Sequence, residues 1–211
     1  KKIYLIKKKA LELSFFLIFP ASIALFIASE EIVSALFGYG QFSESSILNS
    51  AKALYFFSFG LPAFAMIKVF SNFFFANHNT KTPFYISLVS VILNILISVY
   101  FFKSIGFIII PIATTISSWF NLVILFFFLQ RRNLFSFNNI FINRFFKILF
   151  SSILMGLFFN YLMIIFNNQL SFENSLKSFY LILSVILGLG FYILTSFLIK
   201  AFQLEDIKLK Y

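Results

Sequence analysis

Apolar residues recur along this chain in runs too long and too continuous for the alternating strands of a barrel. Six of them, approximately 11–29, 46–76, 83–102, 105–129, 145–166 and 176–199, match the about 20 residues that a helix needs to cross a hydrocarbon core of about 30 Å. Only short connections remain between them, with no room for a soluble domain. A backbone inside lipid must satisfy its own polar groups, so the pattern predicts an all-α, polytopic membrane protein with six transmembrane helices. Ser43 followed by Glu44 marks the start of the second helix, which is longer than a bilayer requires and should tilt, kink or project. Thr82-Pro83 places an N-cap hydroxyl before a proline at the first position of the third. Pro20, Pro62 and Pro111 fall inside the first, second and fourth spans, which should bend where each ring frees a carbonyl.

Composition narrows the class further. The chain is 61% hydrophobic and 11% charged, whereas soluble domains average about 45–50% and about 25%. It has no Cys, which removes disulfide scaffolds, thiolate chemistry and thiolate-bound zinc. The net charge of +10 could suit nucleic acid or a membrane surface, and placement decides. Thirteen of the 17 Lys and Arg sit in the N-terminal segment (Lys1, Lys2, Lys7, Lys8, Lys9), at Lys81, around the fourth connection (Arg131, Arg132, Arg144, Lys147) and in the tail (Lys200, Lys208, Lys210). The opposite side holds only Lys103 and Lys177, with Glu30, Glu31, Glu44 and Glu173. Cytoplasmic loops carry the basic excess, so both termini are expected in the cytoplasm and nucleic acid is not an expected partner. The chain opens on Lys-Lys-Ile-Tyr rather than Met, which reads as part of a longer protein, and no targeting segment is visible.

Residues able to carry catalysis are sparse. His78 is the sole histidine, in the polar turn 77–81, and the acids are dispersed, so neither a catalytic site, a cofactor nor a metal is expected. Ionisable groups inside spans are the default functional candidates because burying them is costly. Lys68 qualifies, although a stem snorkelling to the cytoplasmic surface is an equal reading. Glu12, at the start of the first span, is either a cavity residue or interfacial. Asn94 and Ser98 share a helix face, and Thr114, Thr115, Ser117, Ser118 and Asn121 stud the fourth span. They either line a hydrated path or hydrogen-bond between helices, the commoner role in membranes. Gly156, Gly188 and Gly190 read first as close-packing positions. The 36 Phe, with abundant Ile, Asn and Lys, fit AT-rich coding more simply than a dedicated aromatic site.

Ala35-Leu36-Phe37-Gly38-Tyr39-Gly40-Gln41-Phe42 resembles the Leu-Phe-x-x-Gly-x-Phe turn of the MurJ (MviN) family of lipid II flippases, in the MOP transporter superfamily. Gly60-Leu61-Pro62-Ala63-Phe64, Lys68-Val69, Phe75-Ala76 and Thr80-Lys81-Thr82-Pro83 look like that family's tenth helix and the loop after it. Ala113 to Asn121 is similar to its twelfth, while the last two spans match in position and hydropathy alone. The resemblance implies helices nine to fourteen of a fourteen-helix transporter, with the N-terminal half of the same transporter as partner. Residues 1–132 would form most of the C-terminal lobe, 133–144 a cytoplasmic connection, 145–199 two extra helices, and 200–211 a cytoplasmic tail.

The implied function is flipping of undecaprenyl-pyrophosphate-linked disaccharide-peptide from the inner to the outer leaflet of a bacterial inner membrane by alternating access. Membrane lipid is the other implied partner. The two extra helices would hold the polyprenyl tail in a groove marked by Gly156, Phe159, Gly188 and Phe191, with Phe158 and Leu187 beside them. A monovalent-cation site known in the family aligns with Asn94 and Thr114, but its Asp is Ser98 here, which removes the carboxylate. Ile109 likewise stands for a frequent Gly. Rival readings are a polysaccharide-lipid flippase, a multidrug exporter, which would call for membrane-embedded acids, and a polyprenyl-phosphate transferase, which would call for acidic or His residues in the loops.

Overall fold

A computed structural model describes residues 2–132 and 139–201, with side chains described from position 8 onward. Its helices are α1 (Lys2–Ile27), α2 (Ser29–Phe37), α3 (Glu44–Phe75), α4 (Lys81–Ile105), α5 (Ile109–Arg131), α6 (Asn139–Ile165), α7 (Asn167–Leu170) and α8 (Lys177–Leu198). No strand occurs among the described residues. Five stretches are long and apolar enough to cross a membrane, and one of them, Lys81–Arg131, runs for 51 residues. Gly106 divides it, because φ 75° with ψ −155° is a conformation open to glycine and closed to side-chain-bearing residues. The chain then makes a single 3₁₀ turn, Gly106–Ile108, and folds back, which gives six long helices.

Contacts fix their relative directions. Asn94 meets Thr114 and Ser117, and Ser87 meets Asn121, so residue numbers rise on one helix as they fall on the other and α4–α5 is an antiparallel hairpin. Ser22 with Ser58, and Phe26 with Tyr55, make α1 and α3 antiparallel. Phe56 with Thr115 and Phe70 with Phe126 make α3 and α5 parallel. Glu12 with Arg144 and Phe19 with Phe145 make α1 and α6 parallel, and Phe158 with Phe191 sets α8 against α6. Segments 28–43, 106–108 and 166–176 therefore share one end of the bundle, and the 76–80 turn and the ends of α1, α5 and α8 nearest the termini share the other.

Several local expectations change. Helix α6 begins at Asn139, so the whole second half of the connection read at 133–144 is helical; residues 133–138, 202–211 and Lys1 lie outside the described residues. The connection between the first two spans holds α2, whose first turn carries Glu30 and Glu31, residues that favour a helix start. Ser43 does cap α3, accepting from the Ser46 amide at 3.3 Å. Thr82 does not cap α4. The helix starts earlier, and Asn79 accepts from the Thr82 amide while donating to its hydroxyl. Pro111 is the third residue of α5, where a missing amide interrupts nothing, so the bend expected of that helix has no cause.

Two large apolar clusters hold the bundle, and a smaller one of Val33, Ile47 and Ala51 joins α2 to α3. Leu11, Phe15, Phe70, Leu125, Phe141 and Ile148 pack near the end where the termini lie. Met155, Phe159, Leu162, Leu170, Leu181 and Tyr192 pack toward the other. Helix α4 buries only Pro83, Ile86 and Ser90 and leaves an apolar face open.

Candidate functional site

Proline leaves the carbonyl four residues earlier without a helical donor, and in an apolar medium that group needs another. Pro62 frees the Ser58 carbonyl, which accepts from Ser22 Oγ of α1 at 2.6 Å. Pro20 frees the Phe16 carbonyl, which accepts from the Tyr192 hydroxyl of α8 at 2.8 Å. Next to Pro62, Thr115 Oγ1 and Trp119 Nε1 of α5 donate to the Phe56 and Phe59 carbonyls at 2.8 and 2.9 Å. A Cβ on Gly60 would meet Thr115 Oγ1 at 2.9 Å, so glycine admits that approach.

The charged candidates separate. Glu12 is buried and pairs with Arg144 of α6 at 2.9 Å and with Lys8 at 3.6 Å. It ties α1 to α6. Lys68 is exposed on α3 and forms no ion pair among the described residues. The structure does not bring Glu12 and Lys68 to one site: one is enclosed by α1 and α6, and the other lies on the open surface of α3. His78 is exposed in its turn.

Asn94, Ser98 and Thr114 do come together. Asn94 Nδ2 donates to Thr114 Oγ1 at 3.0 Å and Ser117 Oγ at 3.3 Å, and Ser98 Oγ reaches Asn94 Oδ1 at 3.5 Å. Thr114 Oγ1 donates onward to the Ile110 carbonyl. Each hydroxyl and the amide thus has a partner inside the hairpin, and among the described residues no cluster of His, Asp or Glu suits a metal ion.

A groove of about 350 Å³ lies along α8. Its walls are apolar and come from three helices: Phe16, Pro20 and Ala24 of α1, Phe159 of α6, and Gly188 and Tyr192 of α8. A Cβ on Gly188 would touch Phe159 at 3.2 Å, but one on Gly156 would meet Ile23 of α1 at 2.5 Å. Gly156 is therefore a close-packing position between α1 and α6 and not part of this groove. Phe191 stacks on Phe158 at 4.5 Å, away from it, and Gly190 has nothing within 4 Å. Pro20 and its α1 neighbours supply a wall that sequence patterning of the last two spans alone could not reveal.

Lys177 was legible only as a loop cation. It is 1% exposed, its ammonium donating to the Gly38 carbonyl at 2.6 Å and the Phe172 carbonyl at 2.9 Å, with the Tyr39 and Phe172 rings at 4.5 and 4.7 Å. Carbonyl dipoles and ring faces here replace water around the charge. Ser178 adds a bond to the Ala35 carbonyl and one with Tyr39. The one available signal was a lysine on the side of the chain where lysines are scarce.

Comparison with known proteins gives a consistent picture. A family model described as lipid II flippase MurJ matches residues 1–185. A Thermotoga maritima protein named "Probable lipid II flippase MurJ" is 33% identical over 194 residues, covering 92% of this chain and 37% of its own length. Proteins of the same name from Rickettsia prowazekii and Rhizobium meliloti are 34% and 36% identical over 121 residues, 57% of this chain and 24% and 23% of theirs. The chain thus spans between about a quarter and two-fifths of these relatives. A solved structure titled "Lipid II flippase MurJ, inward closed conformation" superposes with a TM-score of 0.73 at 24% identity, covering 90% of this chain and 37% of that one. At that identity the superposition speaks for the fold.

Proposed function

The chain belongs to the lipid II flippase MurJ family, and on that premise we propose that it serves in moving an undecaprenyl-pyrophosphate-linked peptidoglycan precursor from the inner to the outer leaflet of the bacterial inner membrane. The observation that carries this is the family match across residues 1–185. In this reading α1, α3, α4 and α5 are helices nine to twelve of the transporter's C-terminal lobe, α6 and α8 are helices thirteen and fourteen, and the relatives' additional length supplies the opposing lobe. Transport proceeds by rocking of the two lobes, for which bent helices with externally satisfied carbonyls suit a cavity wall. Both termini lie in the cytoplasm, as the thirteen-to-two distribution of basic residues indicates.

Within this scheme the α1–α6–α8 groove takes the polyprenyl tail. An apolar tail gains little by exchanging one hydrocarbon for another, so the groove selects by shape and dispersion contact. Phe159 and Gly188 are its contact residues, and Lys68, exposed on α3, draws the anionic head group to the mouth of the cavity. Asn94, Ser98 and Thr114 act as an uncharged seam that sets the α4–α5 hairpin, since no carboxylate is there to balance a bound cation.

The test is a chimera of the Thermotoga relative in which this chain replaces the matching segment, expressed in cells depleted of their own flippase. The expected outcome is restored growth and lipid II that an externally added hydrolase can cleave. A chimera inserted at normal abundance that leaves lipid II protected from the hydrolase would reject the assignment. Gly188→Trp in that chimera should lower photo-crosslinking of a polyprenyl-pyrophosphate probe at normal abundance.

A further inference from the structure

The end of the bundle away from the termini holds a second pocket, of about 320 Å³, that the tail groove does not touch. It is lined by Glu30, Glu31 and Ser34 of α2, Glu44 of α3, and Asn168 and Leu170 of α7. None of the three glutamates makes an ion pair among the described residues. Lys177 borders the same corner through Phe172, but its ammonium is spent on two backbone carbonyls.

Each of these glutamates sits in the first turn of a helix, where a carboxylate is favoured by the helix dipole. That accounts for the acids and not for Ser34. Ser34 follows Glu30 by four residues and Glu31 by three, so its side chain shares their face of α2 and lines the same pocket. The residue is 5% exposed, yet its hydroxyl has no hydrogen-bond partner. Ser90, Ser152 and Ser184, buried in other helices, return their protons to the carbonyl four residues back; Ser151 and Ser196 also lack a partner, but neither lines this pocket. A buried hydroxyl left without a partner carries a desolvation cost that a bound polar group would relieve.

We propose that this pocket binds a primary ammonium group on an apolar stem, the charge facing Glu30, Glu31 and Glu44, the Ser34 hydroxyl bonded to the bound amine, and the stem lying on Ile47 and Leu170. A bare metal ion suits the pocket less, because no three acidic or imidazole groups among the described residues converge on one point. An ammonium needs only one or two carboxylates within reach of its three donors, with the remaining acid contributing charge at longer range, and the apolar floor accepts methylenes. Partial burial holds the Glu31 carboxyl above the usual range, opposed by a backbone hydrogen bond and reinforced by Glu30, as expected of an acid lacking its counter-charge. The pocket's chemistry is independent of the transported cargo.

The experiment is equilibrium dialysis of the purified full chain in detergent against radiolabelled cadaverine at fixed ionic strength, with a lysine tripeptide and its side-chain-acetylated form as competitors. Saturable binding is expected, displaced by free amine and untouched by the acetylated peptide. Glu31→Gln should weaken it about fivefold, the effect of losing one partly exposed charge contact, and Ser34→Ala should weaken it further in the double variant. Displacement by the lysine tripeptide at lower concentration than by cadaverine assigns the site to a peptide-borne side chain, and the reverse order assigns it to a free amine. Equal binding by the parent, Glu31→Gln and Glu44→Gln, equal competition by the acetylated peptide, or displacement by magnesium at matched ionic strength would each overturn the proposal. The acetylation comparison uses the unaltered protein, so it holds even if a variant unfolds.

Discussion

Phe16 O and Ser58 O, the carbonyls freed by Pro20 and Pro62, receive hydroxyls from other helices, and a proline in one helix is thereby tied to the identity of a residue on the next. Tyr192→Phe keeps the ring against Phe16 and removes the hydroxyl that donates to the Phe16 carbonyl and also lies close to Ser152 and Ser196. It should lower stability in detergent by about 1 kcal/mol, the scale of interhelical hydrogen bonds in membrane proteins. The cost should fall in a Pro20→Ala background, because the restored amide at position 20 can then bond the Phe16 carbonyl within α1. A thermal-unfolding double-mutant cycle measures this; equal costs in both backgrounds would show that the hydroxyl has another role. Glu12 belongs to the same scale, since its pairing with Arg144 joins residues 132 positions apart across α1 and α6.

Between elements, three glycines that look alike in sequence differ in what surrounds them. Gly156 faces Ile23 so closely that a Cβ would sit 2.5 Å from a side-chain methyl, Gly188 would make a tight contact at 3.2 Å, and Gly190 faces open space. Gly156→Ala should therefore force α6 away from α1 and destabilise by about 1–3 kcal/mol, with partial rescue by Ile23→Ala. Gly190→Ala should be neutral or stabilising by up to about 1 kcal/mol, since alanine favours the helix and meets nothing. Unfolding midpoints of the three variants rank the sites, and a Gly190→Ala loss as large as that of Gly156→Ala would contradict the packing described. The reading of polar α5 residues as interhelical bonds fits Thr114, Thr115, Ser117 and Asn121, each bonded to a neighbouring helix, whereas Ser118 bonds within α5.

For the whole molecule, the alternation of six long helices sorts the connections onto two ends, and the native absence of Cys makes single-cysteine labelling clean. Ser45 and Ser171 are exposed at one end, and Thr80 at the other. Cysteine at Ser45 or Ser171 should react in intact cells with an impermeant thiol reagent, and cysteine at Thr80 should react only after permeabilisation. Reversed reactivity would invert the orientation that the basic residues indicate. The open apolar face of α4 is the surface left for lipid or for the relatives' further helices.

The number of crossings, their class and their approximate limits follow from the sequence by itself, because lipid imposes one length and one requirement on every span: about 20 apolar residues with all backbone groups satisfied. The family likeness was legible for the same reason that turn and proline positions are local, as at Gly38-Tyr39-Gly40 and Gly60-Leu61-Pro62. Tertiary structure decided which partner each exceptional residue meets. The fold sets Arg144 beside Glu12, and it encloses Lys177, a loop residue by sequence, with Gly38 and Phe172 from 139 and 5 positions away. The apolar groove along α8 is lined by Pro20 and Tyr192 and not by Gly156 or Phe191. In a chain this uniformly apolar, periodicity does not mark which helix face is buried, since lipid-facing and protein-facing residues are alike; only the packing of α1 against α6 and α8 distinguishes them.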